Sequence, residues 1–177
     1  MTQTIELTIN GKAVRAEVDD RTTLADFLRE HADARSIHLG CEHGVCGACT
    51  IVIDGAIARS CITLAVMQDG ADIRTLEGLG DDPVIRQLRE SFHHNHGLQC
   101  GYCTPGMLIT SRDIIARYGA ADESTVRDAL AGNICRCTGY AGIVKAVREA
   151  AARLAHDRSS DTDASASVVP RRIAGSL

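Results

Sequence analysis

The sequence has no tryptophan and only two phenylalanines and three tyrosines in 177 residues. So few aromatics exclude the stacking platforms that grip single-stranded nucleic acid. Positive charge is also in deficit. The 19 Lys and Arg against 23 Asp and Glu leave a formal net charge of −4, the wrong sign for a surface that neutralises phosphates. No run approaches the roughly 18 apolar residues of a membrane-spanning helix. The first residues, Met-Thr-Gln-Thr-Ile-Glu, show no basic stretch, apolar stretch or twin-arginine pair, so a cytoplasmic location is expected. What the chain does have is an apolar fraction of 45 %, enough for a packed core, and eight cysteines. Disulfides rarely persist in a reducing compartment. The cysteines are therefore metal ligands, catalytic groups or small buried hydrophobes, and their spacing has to decide.

The first 80 residues read as α+β. Ile5, Leu7 and Ile9 alternate with polar residues, Asn10-Gly11 is a hairpin signal, and Val14, Ala16 and Val18 alternate on the return. Thr22 or Thr23 can cap a short helix carrying Leu24, Phe27 and Leu28. Further strands are predicted over Thr50–Ile53, over Ala56–Cys61 after the Asp54-Gly55 turn, and over Ile73–Leu76. Gly78 and Gly80 mark a flexible joint, after which the period becomes helical. Asp82-Pro83 and Thr104-Pro105 open two helices, the second ending at Tyr118-Gly119. Ser124 caps a third that stops near Gly132, and Ile143, Val144, Val147, Ala151 and Leu154 give a fourth. Four helices with short connections suggest a small bundle. From His156 the composition turns to Asp, Ser, Thr and Ala, and a mobile tail over 156–177 is expected.

Cys41, Cys46 and Cys49 have the C-x4-C-x2-C spacing of plant-type [2Fe–2S] sites, and Cys61 follows after eleven intervening residues. Such a core needs two thiolates per iron and backbone N–H groups aimed at the sulfurs. Gly40, Gly44 and Gly47 sit among the ligands, where they let the backbone come close. A zinc site would usually show two C-x2-C pairs, and this set has one. The second set pairs Cys100 and Cys103 with Cys135 and Cys137, after thirty-one intervening residues. Helix N-termini near both pairs favour thiolates, so a second cluster site built from four cysteines is expected. The spacing alone leaves zinc and a redox-active C-x2-C open as alternatives.

Three segments taken together resemble a known family. They are Gly40-Cys41-Glu42-His43-Gly44-Val45-Cys46-Gly47-Ala48-Cys49-Thr50, Gln99-Cys100-Gly101-Tyr102-Cys103-Thr104-Pro105-Gly106, and Gly132-Asn133-Ile134-Cys135-Arg136-Cys137-Thr138-Gly139-Tyr140. Residues 4 to 155 resemble the small iron–sulfur subunit of the molybdenum hydroxylases, the xanthine oxidase family, in its bacterial three-subunit form. The resemblance implies a β-grasp, plant-type ferredoxin-like domain over 1–78 and a four-helix-bundle [2Fe–2S] domain over 79–155. It implies a large partner subunit with molybdopterin, as the cytosine dinucleotide, a medium subunit with FAD, and a dimer of heterotrimers. Gln99 and Cys137 match the positions that contact the pterin. Electrons would pass from molybdenum to the Cys100/Cys103/Cys135/Cys137 cluster, then to the Cys41/Cys46/Cys49/Cys61 cluster, then to FAD. A free-standing two-cluster ferredoxin is the alternative, and no substrate chemistry is expected on this chain.

Other features are expected to be ordinary. His93, His94 and His96 read as a polar helix end. His38 and His43 read as solvent or interface residues, and Tyr102 and Tyr140 as packing. Arg59 and Arg136 sit near ligands, placed either to soften cluster charge or to pair with a partner subunit.

Overall fold

The computed structural model describes the backbone of residues 1–166 and the side chains of residues 1–157. It is a mixed α+β structure. β1 (Thr2–Ile9) and β2 (Lys12–Asp19) form an antiparallel hairpin in which Ile5 faces Ala16 and Leu7 faces Val14. The Asn10-Gly11 and Asp54-Gly55 turns place Asn10 at φ 52° and Asp54 at φ 48°, the left-handed start that two-residue hairpins favour. α1 spans Leu24–His31, capped by the Thr23 hydroxyl, which accepts from Asp26 N–H. β3 (Thr50–Ile53), β4 (Ala56–Arg59) and β5 (Asp72–Arg74) complete a five-stranded sheet of order β2-β1-β5-β3-β4, with β5 parallel to β1. β4 stops two residues short of Cys61, which lies in a 3-10 turn over Ser60–Ile62.

The helical region contains α2 (Pro83–His94), α3 (Thr104–Tyr118), α4 (Glu123–Ala129) and α5 (Ala141–Ala166). Asp82 caps α2 by accepting from Val84 and Ile85 N–H, and its other oxygen takes Arg112 Nε of α3 at 2.7 Å. Several local expectations need correction. Cys103, not Thr104, occupies the N-cap position of α3, with no side-chain cap bond. Asp122, not Ser124, caps α4, because its carboxylate takes Thr125 N–H and also suits the positive helix end. α4 ends at Ala129, short of Gly132. α5 continues to Ala166, past the start of the tail predicted over 156–177, and the rest of that segment lies outside the described residues.

Two apolar cores result. Ile5, Leu7, Ile9, Leu24, Phe27, Leu28, Ile51 and Ile73 fill one, between the sheet and α1. Ile85, Leu88, Phe92, Met107, Ile114, Ile143 and Val147 fill the other, among the helices. Each such fully buried side chain contributes about 1.5–3 kcal/mol. Val52 of β3 points into the helical core while Ile51 points into the sheet core, so α3 covers the second face of the sheet. The residues just before the expected joint at Gly78 and Gly80 are tied down. Asn10 accepts from Thr75 N–H and donates to its hydroxyl, both at 2.9 Å, and Glu77 accepts from Ser36 N–H at 2.7 Å.

α3 reaches the sheet because its first turn carries Gly106 where backbone meets backbone. A Cβ on Gly106 would stand 2.1 Å from the Gly47 carbonyl oxygen. Gly106→Ala is expected to cost about 3 kcal/mol or more, measured as a lowered thermal unfolding midpoint of the cluster-loaded protein.

Candidate metal centres

All eight cysteines are free thiols, and they fall into two groups. The first group lies mostly on the irregular segment between α1 and β3. Cys41 Sγ accepts from His43 N–H at 3.3 Å and from Cys46 N–H at 3.4 Å. The Cys46 N–H, followed by that of His43, lowers the Cys41 thiol to about 6, so the loop is built to hold a thiolate. Burial pushes Cys61 up to about 11, assisted by the neighbouring Cys49 and Cys41 sulfurs, while the Gly44 N–H acts the other way. Cys41, Cys46, Cys49 and Cys61 therefore stand within electrostatic reach of one another, as a shared cluster would require. Cys49 and Cys61 are buried, and Cys41 and Cys46 are half-buried.

The predicted glycines hold distinct places. Gly40 stands beside the Cys46 sulfur, where an added Cβ would lie at 3.3 Å. Gly44 sits beneath Ile62. Gly47, at φ +74°, has room for nothing larger, since a Cβ would come within 2.6 Å of both the Gly132 carbonyl oxygen and the Asn133 amide.

The second group joins the turn before α3 to the loop between α4 and α5. Cys100, Cys103, Cys135 and Cys137 line a cavity of about 160 Å3, with Cys46 of the first group in its wall. Burial pushes Cys103 up to about 12, and Cys135 and Cys100 add to this. Cys137 is raised first by the Cys100 thiol. Burial raises Cys135 too, but the Thr138 hydroxyl and nearby N–H groups outweigh it and hold that thiol below its ordinary value. Cys100 and Cys137 are exposed, as is Gln99 beside them. Four thiols around one cavity, with N–H and O–H donors on sulfur, suit a [2Fe–2S] core and the negative charge it carries. Among the described residues no three or more His, Cys, Asp or Glu are set to hold a single metal ion. A two-iron core takes two thiolates per iron and does not need all four to meet at one point.

The two groups are tied together by contacts that no short motif reveals. Ile134 N–H donates to the Cys46 carbonyl at 2.8 Å. Beside it, the buried Asn133 donates to the Gly47 carbonyl at 3.3 Å and accepts from the Thr110 hydroxyl at 3.0 Å. Arg59 donates to the Gly132 carbonyl at 2.8 Å, to Asn133 Oδ1 at 3.2 Å and to the Thr50 hydroxyl at 2.5 Å. Arg59 thus serves the junction inside the chain. On the other side, His38 Nδ1 lies 2.6 Å from the Tyr102 carbonyl, and the Tyr102 hydroxyl donates to the Leu39 carbonyl at 2.9 Å. The two rings stack at 4.6 Å. His38 and Tyr102, read from the sequence as surface and packing residues, are a reciprocal staple between the cysteine loops. Tyr140 is likewise more than packing, because its hydroxyl accepts from Cys135 N–H at 2.8 Å. His93 and His94 form the last turn of α2, as expected of a polar helix end.

Residues 7–76 match the family described as 2Fe-2S iron-sulfur cluster binding domain, and residues 75–148 match the [2Fe-2S] binding domain family. Caffeine dehydrogenase subunit gamma of Pseudomonas sp. (strain CBB1) is 49 % identical over 149 residues, covering 81 % of this chain and 88 % of that protein. Nicotine 6-hydroxylase small subunit of Paenarthrobacter nicotinovorans is 49 % identical over 146 residues, covering 82 % and 88 %. Among solved structures, a chain of quinoline 2-oxidoreductase from Pseudomonas putida 86 superposes with a TM-score of 0.80 at 46 % identity, covering 88 % of this chain and 97 % of that one.

Asn133→Ala is expected to destabilise the protein by about 2 kcal/mol, because it leaves the buried Thr110 hydroxyl without its acceptor. Thermal unfolding followed through cluster absorbance measures this.

Proposed function

The chain belongs to the small iron–sulfur subunits of the molybdenum hydroxylase family, and we propose that Cys41, Cys46, Cys49 and Cys61 hold one [2Fe–2S] cluster while Cys100, Cys103, Cys135 and Cys137 hold the other. Its role is electron transfer within an oxidoreductase. The finer architecture follows the family: residues 1–78 as a β-grasp, plant-type ferredoxin-like domain and 79–155 as a four-helix [2Fe–2S] domain. When bound, the clusters take up and release single electrons, which is how the two electrons of a molybdenum-centred oxidation can leave for a flavin.

The protein's own residues have three tasks. His43, Cys46 and Gly44 supply N–H groups to the first sulfurs. The Ile134–Cys46 hydrogen bond and the Asn133–Arg59 network fix the two loops against each other, and this single junction carries the reading. The exposed face then meets the partners. Gln99 and Cys137 are exposed, which suits contact with a molybdopterin, in its cytosine dinucleotide form, on a large subunit. Val45 and Ile62, 60 % and 62 % exposed beside the first group, suit burial against a medium subunit with FAD. The assembly we infer is a cytoplasmic dimer of heterotrimers, and no helix of the described residues is long and apolar enough to cross a membrane. The relatives above are named for caffeine, nicotine and quinoline, which favours a nitrogen heterocycle as substrate of the assembled enzyme.

The purified enzyme is expected to contain four iron and four acid-labile sulfides per copy of this chain, together with molybdenum and FAD. Stoichiometric zinc, or a lone monomer without the other cofactors, would overturn the reading. In the assembled enzyme, Cys103→Ser is expected to abolish one of two paramagnetic signals and spare the other. Substrate should still reduce molybdenum in that variant while the flavin stays oxidised in a single turnover.

A further inference from the structure

The loop that carries Cys135 and Cys137 contains one hydroxyl that the electron-transfer reading leaves unused. Thr138 Oγ1 lies 3.2 Å from Cys135 Sγ. The same oxygen accepts from Tyr140 N–H at 3.2 Å, which orients the hydroxyl and leaves its one proton free to point at the sulfur. The opposite direction needs a proton on Cys135, and a cluster ligand is a thiolate with none. The donor is therefore Thr138.

Tyr140 reinforces this arrangement twice. It sits at φ 69°, a conformation in which its N–H reaches back to Thr138. Its hydroxyl takes the Cys135 N–H at 2.8 Å and donates to the Asn133 carbonyl at 3.2 Å, which keeps that N–H away from any sulfur. Backbone N–H groups of Cys137 and Thr138 also favour the charged sulfur. They belong to the main chain and survive a side-chain change. In the first group, the donors to Cys41 are backbone N–H groups of His43 and Cys46.

We propose that Thr138, oriented by Tyr140, is a positioning residue whose O–H···S bond to Cys135 holds up the reduction potential of the second cluster. The physical reason is charge. Reduction adds one electron to a core that already carries about −2 with its four thiolates. A proton-bearing hydroxyl at the sulfur stabilises the more negative state more strongly, so the potential rises with the bond and falls without it. In a relay that runs from molybdenum through this cluster, the bond makes the first acceptor easier to reduce. The inference rests on the assignment of the second cluster to these four cysteines.

The experiment is a redox titration of the intact enzyme complex, followed by electron paramagnetic resonance, with wild type, Thr138→Val, Thr138→Ala and Thr138→Ser side by side. Valine and alanine are expected to lower the potential of the second cluster alone. The equilibrium share of an electron between the two clusters should then move toward the first by up to about tenfold, which is about 59 mV for a one-electron couple. Serine keeps the hydroxyl and is expected to restore the wild-type value. Potentials unchanged in valine and alanine, equal shifts in both clusters, or a serine variant that behaves like valine would overturn the inference. So would loss of the second cluster from both valine and alanine variants, which would mark Thr138 as structural only. A wild-type complex with only one paramagnetic iron–sulfur signal would instead defeat the assignment of the second cluster, and that outcome is read before any variant is made.

Discussion

The hydrogen bond from Ile134 N–H to the Cys46 carbonyl is the point on which the arrangement turns. It joins two loops that neither core could align alone, since the sheet core holds Cys49 and Cys61 while the helical core holds Cys135. One backbone bond is worth about 1 kcal/mol net, too little by itself to align the two cores. It persists because Gly47 and Gly106 let backbone lie against backbone there, and because Asn133 and Arg59 satisfy the carbonyls left around it. The His38–Tyr102 staple closes the other side. The two cysteine loops are thus held by polar contacts, buried at Asn133 and exposed at His38 and Tyr102, with apolar packing supplied from either side.

Much of this was legible in the sequence where the determinant is local. Asn10-Gly11 and Asp54-Gly55 specify their hairpins by backbone conformation alone, and Asp82-Pro83 specifies a helix start by capping and fixed φ. The cysteine spacing likewise sorts the eight thiols into the two groups that the structure brings together, one around Cys41 and Cys61 and one around a single cavity. Reading failed where two local solutions compete. Asp122 and Ser124 are both good caps, and the carboxylate prevails because it also answers the helix dipole. Thr104-Pro105 looks like a cap and first residue, yet the cap position falls on Cys103, whose conformation belongs to the cysteine-bearing turn before α3. The junction was not legible at all. Arg59 and Asn133 are 74 residues apart, and His38 and Tyr102 are 64 apart, so nothing in a short window marks them as partners.

Charge explains why polar groups gather here in a chain that is already acidic. Each oxidised cluster with its thiolates adds about −2 to the formal −4. Lys and Arg side chains do not make up the hydrogen-bonding shell of the sulfurs described above. The donors are backbone N–H groups at Cys41 and Cys61, and N–H groups with one hydroxyl at Cys135. Fixed dipoles of this kind stabilise a buried anion without bringing a second full charge into the interior, where its own desolvation would have to be offset. Arg59, close in sequence to the buried Cys61, directs its guanidinium at the Gly132 carbonyl, Asn133 and Thr50 instead.

The span of the junction also sets a timetable during synthesis. Gly47 meets Asn133 across 86 residues of chain. At about 5–20 residues per second on the ribosome, the first cysteine loop waits about 4 to 17 s before the segment that bonds to it exists. The sheet it depends on is finished earlier, because β5 ends at Arg74. All strands of the sheet and the first four thiols therefore precede the segment that carries Asn133 and Ile134. Until Asn133 and Ile134 arrive, the Gly47 and Cys46 carbonyls lack the partners that the helical segment brings to them.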